Sequence, residues 1–320
     1  MKEVTFIRQN IEKWRDVELM VENSVETAPD VQADAYIDLT SDLAYAQTHF
    51  PQSRITLYLN NLASALHNQI YRNKRESISR LVTFWTQEIP KTIWEARHAL
   101  MASFIIFVIS VTIGLVSQLG DDSFARLILG DQYVDMTLDN IAKGEPMAVY
   151  DSGAETEMFL GITWNNVKVS FMVFVMGVFT SLGTGFLLFQ NGVMVGSFQT
   201  FFFQQGLGFE SMLAIWLHGT LEIWAIIVSG AAGITLGNGW LMPGTYGRLT
   251  SFMMAARRGL KIIVGTVPVF VMAGFIEGFA TRHTEWPTWL RLTIIGASAL
   301  FIGYYYLYLP YFRNHARQKQ

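Results

Sequence analysis

Apolar residues in the first third of the chain recur at helical spacing, whereas after His98 they run together in blocks long enough to cross a bilayer. Ile7, Ile11, Trp14, Val17, Met20 and Val21 predict an amphipathic helix that ends at Thr27 to Pro29. A second helix, Val31 to Thr48, stops before Pro51. A third, Ser53 to Trp85, carries Tyr58, Leu59, Leu62, Leu66 and Ile70 on one side. Residues 1–97 are therefore expected to form a helical cytoplasmic domain and residues 98–320 a transmembrane bundle.

Ala99 to Gln118 holds no charge and matches the roughly 20 residues that a hydrocarbon core of about 30 Å requires. An acidic segment follows, in which Asp121, Asp122, Asp131, Asp135, Asp139, Glu145, Asp151, Glu155 and Glu157 face only Arg126 and Lys143. That excess assigns 119–163 to an exterior loop. Val167 to Phe189 predicts a second span. Asn191 to Gly208 is apolar but short, rich in glycine and interrupted by Gln199, Gln204 and Gln205. It either crosses or re-enters, and charge favours a short or broken crossing. Only then does the span Phe209 to Leu236 deliver Arg248, Arg257, Arg258 and Lys261 to the cytoplasm. Asn191, Gly192 and Gly196 mark the broken span, with the two glycines forming a small-xxx-small contact. Spans at Leu260–Ala280, kinked near Pro268, and Trp289–Leu309 then bring Arg313, Arg317 and Lys319 inside. The expected fold is all-α, a polytopic bundle of about six spans with both termini cytoplasmic; only Arg282 and Arg291 lie on the disfavoured side.

Composition narrows the function classes. Half of the 320 residues are hydrophobic (51%), 15% are charged and the net charge is −3. No basic surface dominates, which excludes a dedicated nucleic-acid binder. The run Arg72, Lys74, Arg75, Arg80 reads as a solvated face or a contact for anionic headgroups. Cysteine is absent, so there is no disulfide and no thiolate nucleophile. The first 25 residues lack the apolar core of a signal peptide, so the first span serves as the insertion signal and the chain is expected in the bacterial inner membrane. No nucleotide-binding loop is present and no cofactor is expected.

Ionisable groups inside a membrane need partners or a purpose, because each costs at least about 2.5–3.5 kcal/mol. His218 and Glu222 are one helical turn apart and share a face. Glu277 belongs to the fifth span at a similar depth, with Asn165, Asn166 and Glu210 at the rim of the cluster. Three readings stay open for His218, Glu222 and Glu277: a hydrogen-bonded cluster that fixes helix packing, a proton or ion pathway, and a metal site for hydrolysis. The last lacks the HExxH pattern of zinc proteases. The aromatic groups Phe201–Phe203 and Tyr304–Tyr306 read as packing or interface anchors.

Several short patterns together resemble the stage II sporulation protein M family. They are Trp14, Asp42-Leu43-Ala44, Pro51, Tyr58-Leu59-Asn60, His67, Trp164-Asn165-Asn166, Asn191-Gly192, His218-Gly219-x-x-Glu222 and Ile276-Glu277-Gly278-Phe279. The resemblance implies an all-helical integral membrane protein whose namesake organises peptidoglycan-remodelling proteins in spore formers. It implies no catalytic role for His218, Glu222 or Glu277. The expected function is thus non-enzymatic, in an envelope or membrane complex. Expected partners are the lipid bilayer, a membrane or cytoplasmic protein docked through residues 1–97, and a second copy through glycine-rich helix faces. The alternatives are a channel or transporter, favoured by the broken span, and an intramembrane metal-dependent hydrolase.

Overall fold

A computed structural model describes residues 2–22, 29–71, 78–145, 155–281, 283 and 286–318, all of whose regular elements are helical. Two compact units divide the chain, Met1–Arg80 and Leu81–Gln320. The break expected at Thr27 to Pro29 lies largely outside the described residues, as do Arg72, Lys74, Arg75, Asp151 and Arg282.

The first unit holds α1 (Glu3–Glu22), α2 (Pro29–His49) and α3 (Arg54–Tyr71). Its core is built on Trp14, Leu39, Leu59 and Leu66, all fully buried. The Trp14 indole N–H donates to the Asp42 carboxylate at 2.9 Å, and Lys13 pairs with the same carboxylate at 2.6 Å. Two differences from expectation are local. Phe6 rather than Ile11 completes the buried face of α1, and Ile11 is exposed. The third helix ends at Tyr71 and does not continue to Trp85; a separate α4 (Ile78–Thr83) precedes a π turn and α5 (Ile89–Glu95).

Among the described residues, the second unit contains five helical stretches long and apolar enough to cross a membrane. One of them, Phe159–Gln204, has 46 residues, roughly 69 Å of helix at 1.5 Å per residue and about twice the hydrocarbon core. It doubles back. A 3₁₀ turn at Met176–Phe179 leads into Thr180, whose φ of 70° belongs to the left-handed region. On either side lie α9 (Glu155–Val175) and α10 (Thr180–Gln204). They are antiparallel: the Thr184 hydroxyl donates to Val173 O at 2.9 Å. Five stretches with one folded in two make six candidate crossings among the described residues.

The remaining helices are α6 (Arg97–Gly120), α11 (Gly208–Leu241), α12 (Arg248–Phe275), α13 (Thr288–Ile302) and α14 (Leu309–Gln318). Helices α6 and α10 run parallel, with Gly192 against Phe107 and Ser110, Gly196 against Val111, and Gln118 Nε2 donating to Gln204 at 2.8 Å. Helix α11 returns antiparallel to α10, from the Gln199–Ser211 bond (2.8 Å) to the Ser181–Asn238 bond (2.7 Å). One end of the bundle is thus marked by Arg97 and Asn238, the other by Gly120 and Gly208.

The sequence-predicted second span, Val167–Phe189, straddles the turn at Thr180, and the third is neither short nor broken. Asn191, Gly192 and Gly196 lie inside continuous α10, where the two glycines let α6 approach closely. The acidic segment is not a loop throughout. Helices α7 (Phe124–Leu129) and α8 (Asp131–Ala142), joined at Gly130 (φ 88°), bury Ala125 and Val134 against Phe201, Phe202 and Ala214 at the Gly120 end. Arg126 ties this pair together through Asp131 (3.2 Å) and Asp135 (2.7 Å); its hydrogen bond to Asp135 raises its pKa. The basic cluster Arg248, Arg257, Arg258 and Lys261 forms the first half of α12. There Lys261 pairs with Glu88 at 2.6 Å and Arg258 with Glu95 at 3.5 Å. Arg291 caps the Trp286 carbonyl, at 3.0 Å from Nε.

Candidate functional site

Helix α11 presents His218 and, one turn on, Glu222 to the same side. Glu277 reaches them from α12 by way of a π turn at Ile276–Ala280 that immediately follows the helix. Such a turn inserts a residue into the helical register and re-aims its side chains; here it brings both Glu277 and Thr281 to His218. His218 is buried (5% exposed) and so is Glu277 (9%). His218 Nε2 lies 3.7 Å from Glu277 Oε2, and His218 Nδ1 lies 3.1 Å from the Thr281 hydroxyl. The three potential ligand atoms of His218, Glu222 and Glu277 all lie within 4.8 Å of one another. The Asn166 amide donates to the Glu222 carboxylate.

The cluster borders a cavity of about 550 Å³ between α9, α10 and α11. Asn165, Asn166, Asn191, Gln199, His218 and Glu222 supply polar groups to its wall, and Ile128, Leu129 and Tyr133 of α7–α8 close it at the Gly120 end. Burial pushes the Tyr133 phenol above its ordinary pKa, leaving a neutral hydroxyl there. Gln199 is held between Ser211 (2.8 Å) and the Trp216 indole (3.3 Å). Phe107 and Ile226 line the other end of the cavity. Nearer the Arg97 end the helices are sealed by the Ser103 hydroxyl on Ile227 O (2.6 Å), the Ser170–Ser229 hydroxyl pair and Leu188 packed on Gly230.

Sequence-predicted residues thus fall into three groups. His218, Glu222 and Glu277 converge, with Asn166 donating to Glu222 and Asn165 and Asn191 on the cavity wall. Gly192 and Gly196 serve the α6–α10 contact instead. Glu210 is exposed on the first turn of α11 and is not among the cavity-lining residues. Sequence reasoning missed Thr281, Gln199 and Tyr133, which are ordinary polar residues until the fold turns them inward.

It also missed Lys168. This lysine sits about two turns before the end of α9 and is exposed in a shallow apolar groove formed by Trp164, Val167, Phe171, Met172 and Val175. Among the described residues it has no ion-pair partner. The missed signal was available, since a lysine in an uncharged run is itself unusual.

Comparison with known proteins agrees with this architecture. The sequence pattern of the stage II sporulation protein M family matches residues 103–282, which include α9–α12 and all three cluster residues. A second pattern, described as a domain of unknown function, matches residues 4–72, the three helices of the first unit. An uncharacterized protein of Methanocaldococcus jannaschii is 24% identical over 188 residues, covering 57% of this chain and 77% of that protein. No solved structure matches.

Proposed function

Because the chain belongs to the stage II sporulation protein M family, we propose that this multi-pass membrane protein is a non-enzymatic component of a membrane complex, with a partner span seated on the Lys168 face of α9. Lys168 carries the reading. Its Cα is roughly 10 Å from the Val175 end of α9 and farther from the other, so its ammonium lies deep in the apolar layer. Snorkelling toward the nearer end is opposed by geometry, because helix side chains lean toward the N-terminus and that end is C-terminal. Left in lipid, the charge costs at least about 2.5–3.5 kcal/mol. A carboxylate on a neighbouring span removes that penalty.

A second copy is a poor source of the carboxylate. Among the described residues of the crossing helices, the acidic groups are Glu155 and Glu157 on the first turn of α9, Glu210 near a helix end, and Glu222 and Glu277 at the cavity. The occupant is therefore a helix of a different membrane protein bearing an Asp or Glu. Lys and Arg cluster at the Arg97 end, which the positive-inside rule assigns to the cytoplasm; the first unit then offers a second, cytoplasmic docking surface. An unbroken α10 removes the support that a broken helix gave to a transporter.

The test is photocrosslinking in cells from Met172, beside Lys168, and from Leu300 on α13 as a control. The expected adduct at Met172 is a distinct membrane protein with an acidic residue in its span. It should be retained by Lys168→Arg, lost by Lys168→Met and absent at Leu300. An adduct to lipid or to a second copy alone at Met172 would defeat the proposal.

A further inference from the structure

We infer that His218, Glu222 and Glu277 form a binding site for one divalent transition-metal ion of the zinc type, with a remaining coordination position facing the cavity. This rests on the cluster alone and holds whether or not a partner span occupies the Lys168 face.

The first argument is geometric. The 3.7 Å from His218 Nε2 to Glu277 Oε2 is too long for a hydrogen bond. It is close to the spacing of two donors on a tetrahedral zinc, about 3.4 Å when each bond is about 2.1 Å. The full triad fits within 4.8 Å, a spread that rotation of a carboxylate closes. Three protein donors and an open position are the usual make-up of a zinc site that accepts an exogenous ligand.

The second argument concerns which nitrogen holds the hydrogen. The Thr281 hydroxyl is oriented toward Ile276 O at 3.4 Å. When its hydrogen is donated there, its oxygen accepts from His218 Nδ1–H at 3.1 Å. Nε2 then presents its lone pair toward the Glu277 carboxylate, the orientation in which a bound cation would take both as ligands. A ligating imidazole whose other nitrogen donates to a neighbouring oxygen is the standard outer-sphere arrangement. Asn166 orients Glu222 in the same way from the opposite side.

The third argument is charge. The buried Glu277 carboxylate and the half-buried Glu222 carboxylate on the cavity wall are balanced by a single divalent cation, so the occupied site is neutral in a medium that penalises net charge. The imidazole selects within that class, since calcium and magnesium take oxygen donors whereas imidazole suits zinc, copper, iron and nickel.

The experiment uses the full chain in detergent, stripped with EDTA, reloaded with zinc chloride, freed of excess and analysed for metal per polypeptide. One zinc per chain is expected for the unaltered protein and for Glu210→Gln, and less than about a tenth of that for His218→Ala and Glu277→Gln. Thr281→Val should weaken zinc binding roughly 10–100-fold, with Thr281→Ser restoring it. Should the ligand variants unfold, cobalt(II) decides on the unaltered protein, because a nitrogen- and oxygen-ligated ion gives visible ligand-field bands that EDTA abolishes. Sub-stoichiometric zinc together with absent cobalt bands in the unaltered protein overturns the site. So does full zinc retention in a folded His218→Ala.

Discussion

Replacing Gly196 with alanine tests the α6–α10 contact on which the path of the chain depends. The added methyl would collide with Val111 O, and would lie 2.9 Å from Leu115 N and 3.0 Å from Val111 C, against an ordinary contact of about 3.5 Å or more. All three obstacles are backbone, so no side chain can rotate aside and the helices must separate. Overpacking of this kind costs about 1–3 kcal/mol. Gly185, in the same helix, has nothing within 4 Å of its would-be Cβ. There alanine gains up to about 1 kcal/mol from helix propensity. The two substitutions should therefore move stability in opposite directions and differ by about 1–4 kcal/mol. Thermal unfolding of the detergent-solubilised chain reads this, at roughly 2–4 °C per kcal/mol for a unit of this size. If Gly196→Ala proves as stable as Gly185→Ala, the α6–α10 packing described here is wrong.

Three other outcomes follow from the same architecture. The absence of cysteine makes single-cysteine labelling clean: Phe179→Cys should react with an impermeant reagent from the same side as Tyr246→Cys, and Gln205→Cys from the opposite side. Shared sidedness of Phe179→Cys and Gln205→Cys would remove the hairpin at Thr180. Trp14→Phe deletes the donor to Asp42 while keeping most of the ring. It should cost about 1–3 kcal/mol, visible as faster hydrogen exchange across α1–α3, and unchanged exchange would show the bond to be energetically idle. Ser103→Ala, which leaves the Ile227 carbonyl to its own helix, should lower the unfolding temperature by less than Gly196→Ala, because it removes a bond without creating a clash.

Much of this was legible in the residues, for identifiable reasons. Helical periodicity located α1–α3 because one face of each carries a continuous stripe such as Leu59, Leu62 and Leu66. Uninterrupted apolar length located α6, α11, α12 and α13, and the i, i+4 spacing of His218 and Glu222 put them on one face. The turn at Thr180 escaped because Met176–Thr184 contains no charge, so hydropathy runs straight through it. Only length betrays it, since a helical stretch of 46 residues is too long for one pass. The helices of the acidic segment escaped because net charge dominated the reading, although Ala125 and Val134 sit at positions that bury. Thr281 could not be placed by spacing at all, because the π turn at Ile276–Ala280 departs from the regular register.

The hairpin of α9 and α10 has one further consequence. Its arms meet near Thr180 and are held apart toward the Gly120 end by the cavity, where Asn165 on one arm and Met194 on the other are both exposed. With Ile128, Leu129 and Tyr133 of α7–α8 lining that end, a gap between the exposed Asn165 and Met194 would lie on the side of the bundle. A molecule approaching the buried imidazole by that gap would travel within the plane of the bilayer. Amphiphiles already dissolved in the membrane would then have an advantage over solutes arriving from the aqueous phase.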